Sequence, residues 1–159
     1  MIYYKINMKE GDKAIDFLLK DKDGKKYSLK DFNSDYLILY FYPKDSTSGC
    51  TIQAQEFTKD LGKFKKLNTT IIGISGGNNE TKLKFYNKYN LKVLLLSDPD
   101  FSISNKYSIY GEKSFLGRKF MGIKRTTFIL DKDRKIIKVY ENVNPKKHSE
   151  EIIGFIKNL

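Results

Sequence analysis

The run of apolar and aromatic residues at 36–42 constrains the fold of this chain most strongly. It is too short to cross a bilayer, and its polar approach and the Pro43 that follows it are typical of a strand buried on both faces of a sheet. From Cys50 onward the period changes, because apolar residues recur at alternating steps of four and three, at positions 50, 54, 57, 61 and 64. This spacing predicts a helix. The sequence therefore predicts a buried strand that continues through a short loop directly into a helix.

Further strand and helix signals alternate along the rest of the chain. Strand patterns lie at 69–75 and 93–96, and hairpins are predicted around turns at 21–24 and 131–134, with strands at 17–20, 26–29, 126–130 and 135–140. Helices are predicted over 80–89, 98–107 and 144–159, the first with Leu83 and Tyr86 on one side and the last with a buried stripe of Ile152, Ile153, Ile156 and Leu159. The alternation predicts an α/β fold with a central mixed β-sheet flanked by helices and an N-terminal β-hairpin. Without a linker or repeat, residues 1–159 are expected to form one domain.

The charge of the chain is strongly basic, with a net charge of +11 and lysines spread along its whole length. Only three of the 30 basic residues are arginines, whereas nucleic-acid readers favour arginine for bidentate contacts. We therefore expect a solvated basic surface, no specific nucleic-acid partner and no membrane partner. The N-terminus lacks the pattern of a signal peptide, so a cytoplasmic location is expected.

One cysteine and one histidine limit the chemistry that this chain can perform. They exclude an internal disulfide and metal sites made of several cysteines or histidines, so we expect no metal and no cofactor. His148 lies among lysines near the chain end, where we expect it to be exposed. Cys50 remains as the single sulfur nucleophile.

Cys50 occupies a position that favours thiol chemistry. It is predicted to lie in the first turn of a helix, at the carboxyl end of a buried strand, where open α/β sheets bind ligands. Unpaired backbone N–H groups and a partial positive charge at a helix start favour a thiolate over a thiol. Thr47 or Ser48 can cap this helix, and Thr47 lies one turn before the sulfur. Position alone leaves two readings open, a reactive thiolate or a structural residue on the apolar stripe.

The residues around Cys50 resemble the active-site motif of the peroxiredoxin family. Residues 42–51 read YPKDSTSGCT, which is similar to P-x-x-x-T-x-x-C and looks most like the Y-P-K-D-x-T-P-G-C-T loop of the bacterioferritin-comigratory, or peroxiredoxin Q, branch. The similarity covers nearly the whole chain, with GDKAIDF at 11–17, GIS at 73–75, LLSD at 95–98, GEKS at 111–114 and KRTTFI at 124–129.

This resemblance implies a thioredoxin-like fold and a thiol-dependent peroxidase that acts on hydrogen peroxide and small organic hydroperoxides. It implies that Cys50 is the peroxidatic nucleophile and is oxidised to a sulfenic acid. It assigns the holding of the peroxide to the Thr47 hydroxyl and the shielding of the site to Pro43. Arg125 matches the family's distant arginine, which would stabilise the thiolate and donate to the peroxide.

The sequence departs from this branch mainly at Gln55, where many members carry a second, resolving cysteine. Without it the sulfenic acid must be reduced by an external thiol, supplied by a thioredoxin-like protein, a glutaredoxin or a low-molecular-weight thiol. We expect a monomer or weak homodimer, with a disulfide between two copies of Cys50 as a side state. Arg134 stands at a turn position where glycine would be easier, so a positive φ at this residue would carry modest strain.

Two other functions remain open at this stage. The chain could be a thiol-based peroxide sensor or regulator, in which Cys50 oxidises but passes the signal to a partner instead of turning over. It could also be a basic module that binds nucleic acid or anionic surfaces, with a vestigial site around Cys50.

Overall fold

A computed structural model describes residues 8–159, which form a seven-stranded mixed sheet with helices packed against it and a separate two-stranded ribbon. The strands are β1 (Leu19–Lys20), β2 (Lys26–Tyr27), β3 (Tyr36–Phe41), β4 (Thr69–Ser75), β5 (Leu94–Ser97), β6 (Tyr110–Phe115), β7 (Arg118–Ile123), β8 (Thr126–Leu130) and β9 (Ile136–Tyr140). The helices are α1 (Ser48–Lys66), α2 (Asn79–Tyr89), α3 (Ser102–Lys106) and α4 (His148–Lys157), with a short 3-10 helix at Leu29–Asp31.

The sheet has the order β2-β1-β5-β4-β3-β8-β9 and places β3 near its centre. The β3–β4 and β4–β5 pairs are parallel, whereas the hairpins and the β3–β8 pair are antiparallel. The predicted mixed sheet with an N-terminal hairpin is thus confirmed. Because the parallel strands end at one edge, the loops after β3, β4 and β5 meet there.

The two faces of β3 belong to two different cores. Leu37, Leu39 and Phe41 pack into the cluster that includes α3, while Ile38 and Tyr40 pack into the cluster that includes α1, α2 and α4. This division follows the two-residue period of a strand. It explains why the segment is apolar at every position, as a strand buried on both faces must be.

The turn between β8 and β9 contains a residue with a positive φ. Arg134 has φ 61°, and its guanidinium donates to the backbone carbonyls of Phe32 and Ser34 at 2.7 and 3.1 Å. These bonds link the turn to the loop that precedes β3. The turn therefore lies at the edge of the sheet opposite the carboxyl ends of the parallel strands.

Several sequence expectations differ from the structure at the helices. Helix α2 buries Lys82 and Phe85, and Leu83 on its predicted inner side is exposed. Helix α3 begins at Ser102, after the Asp98–Asp100 segment, because Asp98 accepts hydrogen bonds from the N–H groups of its first turn. Helix α4 begins at His148, and Leu159 is exposed.

The ribbon of β6 and β7 was not predicted from the sequence. Its strands pair in register from Tyr110 opposite Ile123 to Phe115 opposite Arg118, and Leu116 and Gly117 form the turn with φ 50° and 78°. The ribbon lies outside the main sheet, and its outer residues are exposed.

Residues 1–7, which carry part of the segment considered for a signal peptide, lie outside the described residues. In the range from residue 8 to residue 159, no helix is both long and apolar enough to cross a membrane.

Candidate active site

Cys50 lies in the first turn of α1, close after the carboxyl end of β3. The helix has Thr47 at its N-cap position, and the backbone N–H and hydroxyl of Thr51 both donate to the Thr47 carbonyl, at 2.8 and 2.7 Å. The Cys50 side chain is a buried free thiol. The sulfur is therefore held at the positive end of a 19-residue helix, within a largely apolar core.

Arg125 is the residue that contacts the sulfur from outside the helix. Its Nη2 donates to Cys50 Sγ at 3.4 Å, and its Nη1 donates to Gln53 Oε1 at 2.7 Å. The sheet produces this contact, because Phe41 pairs with Thr126 and so places Arg125 beside the loop that leaves β3. The planar fork spans the sulfur and the amide together, which a lysine ammonium could not reproduce.

Gly49 provides the space in which the guanidinium lies. A Cβ atom at this position would be 3.1 Å from Arg125 Nη2 and 3.3 Å from Pro145 Cγ. Both distances are shorter than ordinary carbon contacts, so a larger residue would press on the guanidinium. The glycine of the motif thus serves the Arg125–Cys50 contact.

Thr47 and Pro43 border a cavity beside Cys50. The Thr47 hydroxyl does not cap α1 but donates to the carbonyl of Lys44 at 2.9 Å, so its oxygen keeps lone pairs for a further donor. Both residues, together with Gly49 and Arg125, line a cavity of about 1050 Å³. The opposite wall is apolar and comes from the β6–β7 ribbon, through Phe115, Phe120 and Met121. Pro43, Thr47 and Arg125 thus meet at this cavity, and Cys50 lies buried behind it in contact with Arg125.

A buried ion pair beneath the loop was missed by the sequence analysis. Lys82 is 0% exposed, and its ammonium donates to Asp45 Oδ2 at 2.9 Å, to Ser75 Oγ at 2.8 Å and to the Gly76 carbonyl at 2.8 Å. Burial lowers the pKa of Lys82, and the Asp45 carboxylate opposes this shift. All three ammonium protons are used, so the charge is fully paired.

Asp45 connects this ion pair to the loop that precedes Cys50. Its carboxylate also accepts hydrogen bonds from the Tyr42 hydroxyl at 2.7 Å and from the Thr81 hydroxyl at 2.9 Å. The loop is therefore tied to α2 and to the end of β4. Asp45 lies within the motif at 42–51, but nothing in the local sequence indicates that Lys82 is its partner.

His148 was expected to be exposed, and this prediction was wrong. The ring is buried between Phe57 and Tyr140, with Nε2 at 2.9 Å from Thr127 Oγ1 and Nδ1 at 3.0 Å from Glu151 Oε1. Burial lowers the pKa of His148, against the opposing effect of Glu151. The neighbouring Lys146 and Lys147 precede α4 and are exposed. The prediction was wrong because it took their exposure as a guide to that of His148.

The described residues offer no candidate metal site near Cys50. The described part of the chain has no group of three or more His, Cys, Asp or Glu side chains that could hold a metal ion. Gln55, where the family resemblance leads one to look for a resolving cysteine, is exposed on α1.

Comparisons with known proteins identify the family to which this chain belongs. The model of the AhpC/TSA family matches residues 10–139. The peroxiredoxin Bcp of Bacillus subtilis is 38% identical over 149 residues, which cover 94% of this chain and 95% of that protein.

Solved structures show the same similarity in three dimensions. A mutant of PrxQ from Xylella fastidiosa superposes with a TM-score of 0.89 at 28% identity, over 96% of this chain and 97% of that one. The bacterioferritin comigratory protein of Xanthomonas campestris, whose structure was determined to study its alkyl peroxide reduction activity, superposes with a TM-score of 0.82 at 27% identity. That similarity covers 89% of this chain and 90% of the other.

Proposed function

Because this chain belongs to the AhpC/TSA family and is a thiol peroxidase of its Bcp branch, we propose that Cys50 is the thiolate that attacks the hydroperoxide. The observation that carries this assignment is the 3.4 Å contact between Arg125 Nη2 and Cys50 Sγ in the first turn of α1. A positive guanidinium and a helix start both stabilise negative charge on the sulfur.

The chemical step transfers one oxygen atom from the peroxide to the sulfur. The Cys50 thiolate attacks the terminal oxygen of the hydroperoxide, so that an S–O bond forms as the O–O bond breaks. The attacked oxygen keeps its hydrogen, and Cys50 becomes a sulfenic acid. The leaving alkoxide or hydroxide takes a proton from solvent and departs as an alcohol or as water.

Arg125 has two tasks in this step. In the resting site its fork faces the sulfur and Gln53, which fixes the guanidinium in place. As the O–O bond breaks, negative charge moves from the sulfur to the leaving oxygen, and an N–H donor held beside the sulfur stabilises both locations.

Thr47 and Pro43 orient the substrate and limit access to water. Since the Thr47 hydroxyl hydrogen is given to the Lys44 carbonyl, its oxygen can accept the hydrogen bond of the terminal O–H of the hydroperoxide. This bond would align the terminal oxygen toward the sulfur. Pro43 has no N–H and contributes an apolar surface to the same cavity.

The cycle closes with a thiol from outside the chain. Cys50 is the only cysteine in the sequence, so the sulfenic acid is reduced by two equivalents of an external thiol, which leave as a disulfide and water. We place this reductant, a thioredoxin-like protein, a glutaredoxin or a low-molecular-weight thiol, in the cytoplasm. We propose that the chain works as one domain, and as a monomer or weak homodimer.

The experiment that tests the proposal combines trapping with turnover. The reduced protein is treated with one equivalent of hydrogen peroxide and a sulfenic-acid probe, and the modified residue is identified by mass spectrometry. We expect the probe on Cys50, and repeated peroxide consumption once a reductant of one of the three classes is added. Oxidation that never turns over with any of them would instead make the chain a peroxide sensor.

A further inference from the structure

Exposed apolar side chains are concentrated on the β6–β7 ribbon, with Phe115 and Leu116 at its tip and Phe120 and Met121 further along β7. Leu116 is 88% exposed, Phe115 68%, Met121 57% and Phe120 47%. The other large exposed hydrophobic residues of the described chain are single residues in separate regions, namely Leu18 before β1, Leu83 on α2 and Leu159 after α4. A group of this kind on one projecting element marks an interaction surface, whereas single exposed residues do not.

The same ribbon carries a local excess of positive charge. Arg118, Lys119 and Lys124 are exposed on the ribbon or just after it. The single carboxylate of the segment 110–124, Glu112, lies 3.7 Å from Lys119 in an exposed ion pair and offsets only part of this charge. Apolar residues at a tip with basic residues behind them form the pattern by which amphipathic segments bind anionic lipid.

We propose that the β6–β7 ribbon is a docking surface for anionic lipid bilayers, with Phe115 and Leu116 entering the headgroup region. Arg118 and Lys119 would lie at the depth of the phosphates, where each basic side chain raises the membrane partition coefficient about fivefold. This places the protein on the membrane surface and needs no spanning segment. It departs from the sequence expectation of no membrane partner, which considered only a spanning helix and scattered lysines.

The geometry favours lipid over the other two classes of partner. A polyanion such as a nucleic acid would use the basic residues but would gain little from the exposed Phe115 and Leu116 at the tip. A stable protein interface covers about 800 Å² on each partner and draws on 20–30 residues, whereas this projecting tip is one narrow hairpin. A bilayer accepts a narrow apolar tip because lipid closes around it.

The docking surface is continuous with the cavity of the proposed peroxidase site. Phe115, Phe120 and Met121 contribute to both, so docking would bring the cavity mouth against the lipid. This consequence rests on the proposed function, but docking itself does not. A measurement of binding without peroxide therefore separates the two.

The test is sedimentation of the full chain with vesicles in the absence of peroxide. Vesicles of phosphatidylglycerol and phosphatidylcholine in equal parts are compared with vesicles of phosphatidylcholine alone, at low and high salt. We expect binding to the anionic vesicles that weakens with salt, and at least about tenfold weaker binding by Phe115→Ser/Leu116→Ser and by Arg118→Glu/Lys119→Glu.

Matched controls separate this surface from the general charge of the protein. Leu18→Ser removes an exposed leucine that directly precedes β1. Lys132→Glu/Lys135→Glu makes the same change in net charge as Arg118→Glu/Lys119→Glu, but in the turn between β8 and β9. Both controls should bind within about twofold of the native chain. All variants are first shown by circular dichroism to unfold at a common temperature.

Three results would overturn the proposal. The first is an absence of binding to anionic vesicles. The second is binding that falls equally with Lys132→Glu/Lys135→Glu, which would show a diffuse charge effect. The third is binding that falls with Arg118→Glu/Lys119→Glu but is unchanged in Phe115→Ser/Leu116→Ser, which would show a site for polyanions, such as nucleic acid, in place of a lipid anchor.

Discussion

The loop before Cys50 and the β6–β7 ribbon line the same cavity but are held in place by different means. The Asp45 carboxylate in the loop accepts hydrogen bonds from four side chains, those of Tyr42, Ser75, Thr81 and Lys82. The ribbon instead pairs only with itself and presents Phe115 and Leu116 to solvent. Peroxide cleavage needs the reacting atoms fixed to a fraction of an ångström, whereas recognition of the rest of a substrate does not. We therefore propose that the chemistry depends on the loop, the fixed wall of the cavity, and that selectivity depends on the ribbon, its exposed wall.

Removing the cation from the fixed wall should have the largest effect. Lys82→Met leaves Asp45 buried and unpaired, which we expect to lower the free energy of unfolding by about 3–5 kcal/mol. Because the loop loses its anchor, oxidation of Cys50 by hydrogen peroxide should also slow roughly 100-fold. Denaturant unfolding and stopped-flow oxidation measure the two effects.

Two controls show whether this loss belongs to the buried pair. Lys88→Met, on the exposed part of the same helix, should change stability by less than about 0.5 kcal/mol. The double variant Asp45→Leu/Lys82→Met removes both charges and should recover most of the lost stability. If Lys82→Met were as stable as Lys88→Met, the wall would not depend on the ion pair.

Gly49→Ala tests the fixed wall without removing any charge. The added methyl group would lie 3.1 Å from Arg125 Nη2, so we expect the guanidinium to be displaced and oxidation of Cys50 to slow about tenfold. The matched control is Gly62→Ala in the same helix, where a Cβ meets no atom within 4 Å. In Gly62→Ala the free energy of unfolding should increase by about 0.5–1 kcal/mol, and Cys50 should oxidise at the native rate. Equal oxidation rates for both variants would mean that the guanidinium position is unimportant.

Phe120→Ala tests the exposed wall. Phe120 lines the cavity from the ribbon, so its loss should reduce binding of a bulky hydroperoxide more than binding of hydrogen peroxide. We expect the ratio of kcat/KM for cumene hydroperoxide to that for hydrogen peroxide to fall about fivefold. Leu83→Ala, an exposed apolar residue outside the cavity, is the control. An unchanged ratio in Phe120→Ala would remove the selective role of the ribbon.

The smallest expected effect is a loss of stability on acidification, which acts through His148. Since burial lowers the pKa of His148 below its ordinary 6.5, the unfolded chain binds more protons there, and stability falls as the pH decreases below about 6.5. We expect His148→Gln to lose up to about 1 kcal/mol less stability than the native chain between about pH 7 and about pH 5. The measurement is denaturant unfolding at each pH. Equal pH dependence in the two proteins would contradict a neutral, buried His148.

The parts of the fold that the sequence predicted are those with a short-range period. β3 and α1 were found because burial on two faces and on one helical stripe leaves different spacings of apolar residues. The contact of Arg125 with Cys50, by contrast, came from the resemblance, because nothing near Arg125 in sequence indicates that β8 pairs with β3. Lys82 and His148 could not be placed, since their burial depends on Asp45 and Thr127, which are distant in sequence.

The ribbon was missed for a different physical reason. A strand that leaves one face in water usually alternates between apolar and polar residues, but β6 and β7 pair outside the sheet and follow no burial pattern. Their sequence, rich in glycine and lysine, reads as a loop. Long-range packing decides the structure of the ribbon, as it decides the burial of Lys82 and His148, and local sequence propensity does not report on such packing.

The most direct test of the account is the second-order rate of Cys50 oxidation by hydrogen peroxide in Arg125→Lys, followed by stopped flow. Lysine keeps the positive charge but lacks the fork that spans Cys50 and Gln53, so we predict a rate about 100-fold below that of the native chain. Arg134→Lys makes the same change at the opposite edge of the sheet and should oxidise at the native rate, while Cys50→Ser should show no reaction. Native-rate oxidation in Arg125→Lys would contradict the claim that the guanidinium at Cys50 drives the chemistry.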